Sequence, residues 1–291
     1  MFKGAARAVT PPILWASAHR LKSYLKEARL SRHGDFEGPI SSWEEAVVLS
    51  DGWDSPAITT KALSAALKVR DGLAEFEQDT IVYDKIMYSP TILAFLFLAL
   101  AQRKDRLTII DLGGSLGSNY FQHRKLFKQI THTAIAWNII DRPHIVKLGN
   151  EHFQNSELKF FPSLEAVRAR VAARPEAFLF SGSLQYFSEP LSALNDVVTA
   201  GAKIIAFDRV LVSPQADHAI YIQHCDPEQY YAATYPVWCF SRDALIGHVT
   251  ARGFKLVEHF TPQPNTHFDH CGMLFALNGD FCPTPLMRRT A

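Results

Sequence analysis

The residues best suited to chemistry cluster at 111–118, where Asp111 is followed by Gly113, Gly114, Ser115, Gly117 and Ser118. The apolar residues before them (Leu107, Ile109, Ile110) read as a buried strand that runs into a tight turn and then a helix. Glycines at such a turn let the backbone approach a ligand closely, and the helix N-terminus offers free N–H groups. The pattern suits a nucleotide-like cofactor, with Asp111 accepting hydrogen bonds from the loop or from an ammonium group; a purely structural turn is the alternative. A second carboxylate, Asp141, ends the next apolar run, AIAWNIID. It can accept from both ribose hydroxyls of an adenosine, whatever the cofactor, or simply cap the helix that begins at Pro143. Asp208 and Arg209 close a later strand, a charged pair at the carboxyl edge where open α/β sheets bind ligands.

Beyond that pair, Val210–Phe240 carries Tyr221, Gln223, His224, Tyr230, Tyr231, Tyr235 and Trp238. Loops of this length are usually functional. The segment is expected to form a lid over residues 210–240, with Gln223, Tyr235, Trp238 and Arg209 binding a polar, sugar-like acceptor; a surface insertion or dimer arm is the alternative. If the acceptor is a hydroxyl, a base near the lid must take its proton. His224 is the first candidate and Asp208 the second. No metal is expected: neither His224-Cys225-Asp226 nor the group His267, Asp269, His270 and Cys271 has a recognised ligand spacing. The G-x-S-x-G elbow of a serine hydrolase does not occur.

The elements that must position these residues alternate strand and helix from Leu107 onward. Strands are predicted at Leu107–Leu112, Ala134–Asp141, Leu158–Phe161, Ala177–Ser181 and Ala202–Asp208, and helices at Asn119–Ile130, Pro143–Phe153, Leu164–Ala173 and Pro190–Ala200. Connections of this length imply a parallel sheet covered on both faces. A helix at Ser241–Arg252 and an antiparallel pair, Phe254–Phe260 and Cys271–Leu277, complete the pattern. Residues 31–42 are rich in turn formers and read as a linker. Ser42 and Glu45 form a capping box, and helical patterns continue through Ile58–Arg70 and Phe76–Lys85. The domain reading is an extension and linker at 1–41, a helical prelude at 42–104, a core at 105–280 and a tail at 281–291.

Composition narrows the partners. The chain has 291 residues, 47% of them apolar, enough for a sizeable core. A net charge of +1 gives no electrostatic case for nucleic acid. Four cysteines without a CxxC pair read as reduced thiols in a cytoplasmic protein. Thr91–Ala101 is intensely apolar but far shorter than the ~20 residues a membrane span needs, so it reads as a core helix. Residues 1–35 mix basic and apolar side chains, which suits either peripheral contact with an anionic inner-membrane surface or a solvated extension. Two prolines in the first apolar patch, with Arg20, Lys22 and Lys26 after it, argue against a signal peptide.

Seven strands ending in a hairpin resemble the Rossmann-like α/β fold of class I S-adenosylmethionine-dependent methyltransferases, here with a helical N-terminal extension. DLGGSLGSNYFQHRK (111–125), GSLQYFSEP (182–190) and YPVWCFSRD (235–243) resemble a narrower group, the methyltransferases found among bacterial surface-polysaccharide genes. The resemblance spans roughly residues 43–278. It implies S-adenosyl-L-methionine as cofactor, held by Asp111, Gly113, Gly114, Ser115, Gly117 and Asp141, with Ser183 and Leu184 beside the transferable methyl group. Tyr186 or Gln185 would orient an acceptor hydroxyl, although Tyr186 packing on the next helix is an equal reading. Ser115 stands where the middle glycine of GxGxG is often found. The expected activity is methyl transfer to a small polar acceptor or glycan precursor. An NAD(P)-dependent oxidoreductase, whose GxGxxG spacing GGSLG lacks, and a non-catalytic scaffold in glycan assembly are the alternatives.

Overall fold

The computed structural model describes residues 30–31, 34–53, 56–102, 105–171, 174–225, 232–261 and 268–279. The basic extension apart from 30–31 and 34–35, the tail at 281–291, and Asp226, Tyr230, Tyr231 and His267 lie outside them.

In chain order the strands are β1 (Leu30–Ser31), β2 (Gly34–Ile40), β3 (Phe76–Gln78), β4 (Ile81–Tyr83), β5 (Arg106–Leu112), β6 (Ala134–Ile140), β7 (Leu158–Phe161), β8 (Ala177–Ser181), β9 (Ile204–Ser213), β10 (Ala219–His224), β11 (Thr234–Ser241), β12 (Phe254–Phe260) and β13 (Asp269–Leu277). The helices are α1 (Trp43–Val48), α2 (Pro56–Arg70), α3 (Pro90–Gln102), α4 (Ser118–Ile130), α5 (Pro143–His152), α6 (Leu164–Arg170), α7 (Pro190–Ala200) and α8 (Arg242–Thr250). Strands β7, β6, β5, β8 and β9 are parallel neighbours in that order; β13 joins β9 antiparallel, and β12 pairs with β13.

Successive side chains on a strand point to opposite faces, and both faces here are apolar. Ile109, Trp137, Ile139, Leu179 and Ala206 pack under α2, α3, α4 and α5. Their neighbours Ile110, Phe178, Phe180, Ile205 and Phe207 pack with residues of α6, α7 and α8. The apolar helix α3 buries Ile92, Phe95, Leu96 and Ala99 in the first of these cores, as its length predicted. Among the described residues no helix is long and apolar enough to cross a membrane.

Three expectations are corrected. Phe76–Lys85 is not helical: β3 and β4 form a hairpin in which Phe76 stacks on Tyr83 at 4.7 Å. Its two-residue turn, Asp79-Thr80, has positive φ at both positions (52° and 73°), which favours the strand twist but lacks the usual glycine signal. The 31–42 linker contains β2. The 210–240 lid is not a loop either: β9 runs on to Ser213, and β10 and β11 form an antiparallel pair. With β1 and β2 these strands enlarge the expected seven-stranded sheet to eleven. β11 pairs parallel with the far end of β9 through Phe240 and Ser241, so the added strands continue past the end of β8.

Candidate cofactor and acceptor site

The strand order reverses direction between β5 and β8, and ligands of open α/β sheets bind outside the carboxyl ends at such a point. The loops leaving these two strands touch there. Ser183 Oγ donates to the Leu112 carbonyl at 2.6 Å. Gly113 has φ of +72°, and a Cβ on it would stand 2.6 Å from the Cβ of Ser183. Gly114 packs on Asp111 as tightly: a Cβ there would lie 2.6 Å from the Asp111 carboxyl carbon. Only glycines let the turn lie this close to both neighbours.

Asp111 is wholly buried. Its Oδ2 accepts from Trp137 Nε1 at 3.1 Å and Asn119 Nδ2 at 3.2 Å, while Oδ1 has no donor. Burial pushes its acid up to about 7, against the pull of the Asn119 and Trp137 hydrogen bonds, and the charges of Asp141 and Asp208 push the same way. A carboxyl in this state lacks a cation. Asp141 braces the turn, accepting from Ser115 N–H at 3.0 Å and Arg142 N–H at 2.7 Å. Burial raises its acid too, with these backbone donors working against the shift. Ser115 itself has φ of +51°, a left-handed backbone of the kind glycine adopts most easily. Gly117, also left-handed, precedes α4 without a side-chain cap, leaving first-turn N–H groups for a ligand or water.

At β9 the pairing with β13 slips. Phe207 opposes Met273 and Val210 opposes Cys271, so Asp208 and Arg209 together oppose Gly272. Phe207 and Val210 share one core, and the bulge turns both charged side chains toward the opposite face. Arg209 takes φ of +54° there. Asp208 is buried and accepts from Ser89 Oγ at 2.6 Å and Ser181 Oγ at 2.7 Å. Arg209 Nη1 donates to Asp79 at 2.7 Å, tying the β3–β4 hairpin over the sheet edge. That hairpin is fixed a second time where Ser118 Oγ donates to Glu77, whose acid burial raises.

The acceptor candidates divide between the two faces of the β10–β11 pair. Tyr186 donates to the Gln223 amide oxygen at 2.7 Å, and Tyr235, partner of Gln223 in the ladder, stacks on Trp53 at 3.6 Å. Trp53 also meets the Tyr186 ring edge-on at 4.7 Å. Gln185 is buried and donates to the Arg209 carbonyl at 3.2 Å; Leu184 beside it packs into the second core. His224 and Trp238 belong to the other face. Trp238 stacks on Trp43 of α1 and packs with Ile220 and Ile222, and His224 continues the alternation of those two residues. Its Nε2 lies 3.2 Å from Glu37, in an exposed pair. Strand alternation turns His224 away from Tyr186 and Gln223, so the structure does not bring it together with them.

Sequence reading passed over Asn119, His123, Trp137, Ser89, Asp79 and Trp53. The first two had a legible signal, since positions 119 and 123 share one helical face beside the glycine turn. Ser89, Asp79 and Trp53 come from distant segments and had none.

The core order and its one reversed strand are the Rossmann-like arrangement of class I methyltransferases. No protein-family model and no curated relative matches the chain. Among solved structures it is similar to the Burkholderia thailandensis 1,6-didemethyltoxoflavin-N1-methyltransferase with bound 1,6-didemethyltoxoflavin and S-adenosylhomocysteine, at 12% identity over 85% of this chain and 97% of that one, with a TM-score of 0.44. It also resembles the N-terminal domain of EvdMO1 in the presence of SAH and D-fucose (15% identity, 77% and 96% covered, TM-score 0.45). A third is LepI in complex with SAM (11% identity, 94% and 92% covered, TM-score 0.43). The likeness to all three is remote.

Proposed function

We propose that the chain is an S-adenosyl-L-methionine-dependent methyltransferase acting on a small polar acceptor, with a sugar of a surface-glycan precursor as the favoured class. One observation carries the reading: a buried aspartate under a glycine turn, with one oxygen lacking any donor. The ammonium of an amino-acid tail would supply both the missing donor and the missing charge. A dinucleotide is disfavoured at the same place, because its pyrophosphate would face this carboxyl. The residues fit the cofactor: Asp111 for the ammonium, the turn 113–117 for the tail, and Asp141 for the ribose hydroxyls through lone pairs its backbone donors leave free.

When bound, the cofactor supplies a methyl group on a good leaving group. The chain's part is then mainly positioning. Ser183 fixes the β8 loop against β5, and the half-buried Tyr186, Gln223 and Trp53, backed by the buried Tyr235, offer aromatic and amide groups that suit a sugar ring. The sugar assignment follows from that surface and from the sequence resemblance. Isothermal titration of the full chain with S-adenosylhomocysteine and with NADH tests the reading. Heat from the first alone is expected; heat from NADH alone, or from neither, refutes it.

A further inference from the structure

His123 lies on α4 one turn beyond Asn119 and has no solvent exposure. Its Nδ1 is 2.8 Å from the Asn119 carbonyl oxygen. A carbonyl can only accept, so Nδ1 carries the proton and the neutral ring presents a bare lone pair at Nε2. Nε2 is buried and has no partner. An acceptor buried without a donor is costly and marks a place that a ligand group or ordered water completes.

Asp208 is near enough for its charge to act on the imidazole, and Ser89, next to Tyr88 in the chain, binds Asp208. The Tyr88 ring packs against His123 at 5.3 Å, with Phe127 beyond it at 6.4 Å. Met87 and Tyr88 belong to a coil before α3 and are 58% and 37% exposed.

We propose that His123 Nε2 is the base that receives the proton of a hydroxyl-bearing acceptor. This rests on the methyl-transfer reading above. As the acceptor oxygen bonds the methyl carbon, the carbon–sulfur bond breaks with its electron pair left on sulfur, and the hydroxyl proton passes to Nε2. One positive charge leaves the sulfonium and one appears on the imidazolium, so the site's net charge is unchanged. Asp208 offsets the new cation. Burial holds His123 down at about 4, so it meets the acceptor neutral, with its lone pair available.

The test uses the full chain with nitrogen-labelled histidine, the His123 ring signals being assigned by their loss in His123→Asn, or in His123→Gln should the first variant fail to fold. Near neutral pH a protonated Nδ1 and a bare Nε2 are expected. Methanol serves as a small hydroxyl probe, titrated with and without saturating S-adenosylhomocysteine. It should shift Nε2 and leave Nδ1 in place. A protonated Nε2, or one that ignores methanol in both series, overturns the proposal. The heat of S-adenosylhomocysteine binding is read separately, so a chain that binds no cofactor refutes the methyl-transfer reading while the methanol response still decides His123.

Discussion

Replacing Asp111 with asparagine should make the protein more stable and less able to bind its cofactor. Asparagine keeps an oxygen for Trp137 and Asn119 and resembles the protonated acid in shape. The folded acid titrates at about 7, against 3.8 for an unperturbed aspartate. Between those values the folded chain holds a proton that the unfolded chain has lost, so wild-type stability is highest at the acid end and falls as pH rises toward 7. At 1.36 kcal/mol per pKa unit, the loss grows to about 4 kcal/mol and then levels off. Urea unfolding of both proteins from about pH 4.5 to 8.5 measures it, because titrations common to both cancel in the difference. The advantage of Asp111→Asn should climb by about 1.4 kcal/mol per pH unit and reach its plateau just above neutrality. Below about pH 7 wild-type affinity for S-adenosylhomocysteine should fall about tenfold per unit of acidification, since the ammonium needs the ionised carboxylate. The variant should bind about 10- to 100-fold more weakly at pH 8, the worth of one charge-assisted hydrogen bond. Parallel stability curves, or equal affinity at pH 8, would refute the reasoning.

Gly114→Ala should cost about 1–3 kcal/mol in chemical denaturation and abolish heat from S-adenosylhomocysteine, because its methyl lands on the Asp111 carboxyl. Ser115→Gly should raise unfolding free energy by about 0.5–1 kcal/mol, the left-handed strain relieved less the added unfolded-state entropy; a loss of stability would count against the strained turn. His224→Ala should change stability by less than about 0.5 kcal/mol and leave S-adenosylhomocysteine affinity untouched, as an exposed pair with Glu37 allows; a large drop in either would restore it to the site.

The parallel core was legible because buried strands are written as unbroken apolar runs with glycine or an acid at their ends. AIAWNIID and LTIIDLGG have no good reading as anything else. The β3–β4 hairpin was not, because Asp79-Thr80 adopts a glycine-type turn without glycine. GDFEGPI carries two glycines and a proline, the composition of a connection, yet forms β2 against β10. Its strand character is supplied by the partner. The same limit hid the shared orientation of Asp208 and Arg209, which alternation alone would place on opposite faces; the slip against Gly272 arises between strands some sixty positions apart. That His123 is buried and His224 exposed likewise depends on which surface α4 and β10 turn inward.

The β10–β11 pair hangs from the same strand, β9, that carries Asp208 and Arg209. Alternate positions of β10 and β11 serve different neighbours: 221, 223 and 235 face Phe268, Tyr186 and Trp53, while 220, 222 and 238 keep α1 anchored. A change on one face can thus leave the ladder, and the helix anchored to the other face, undisturbed.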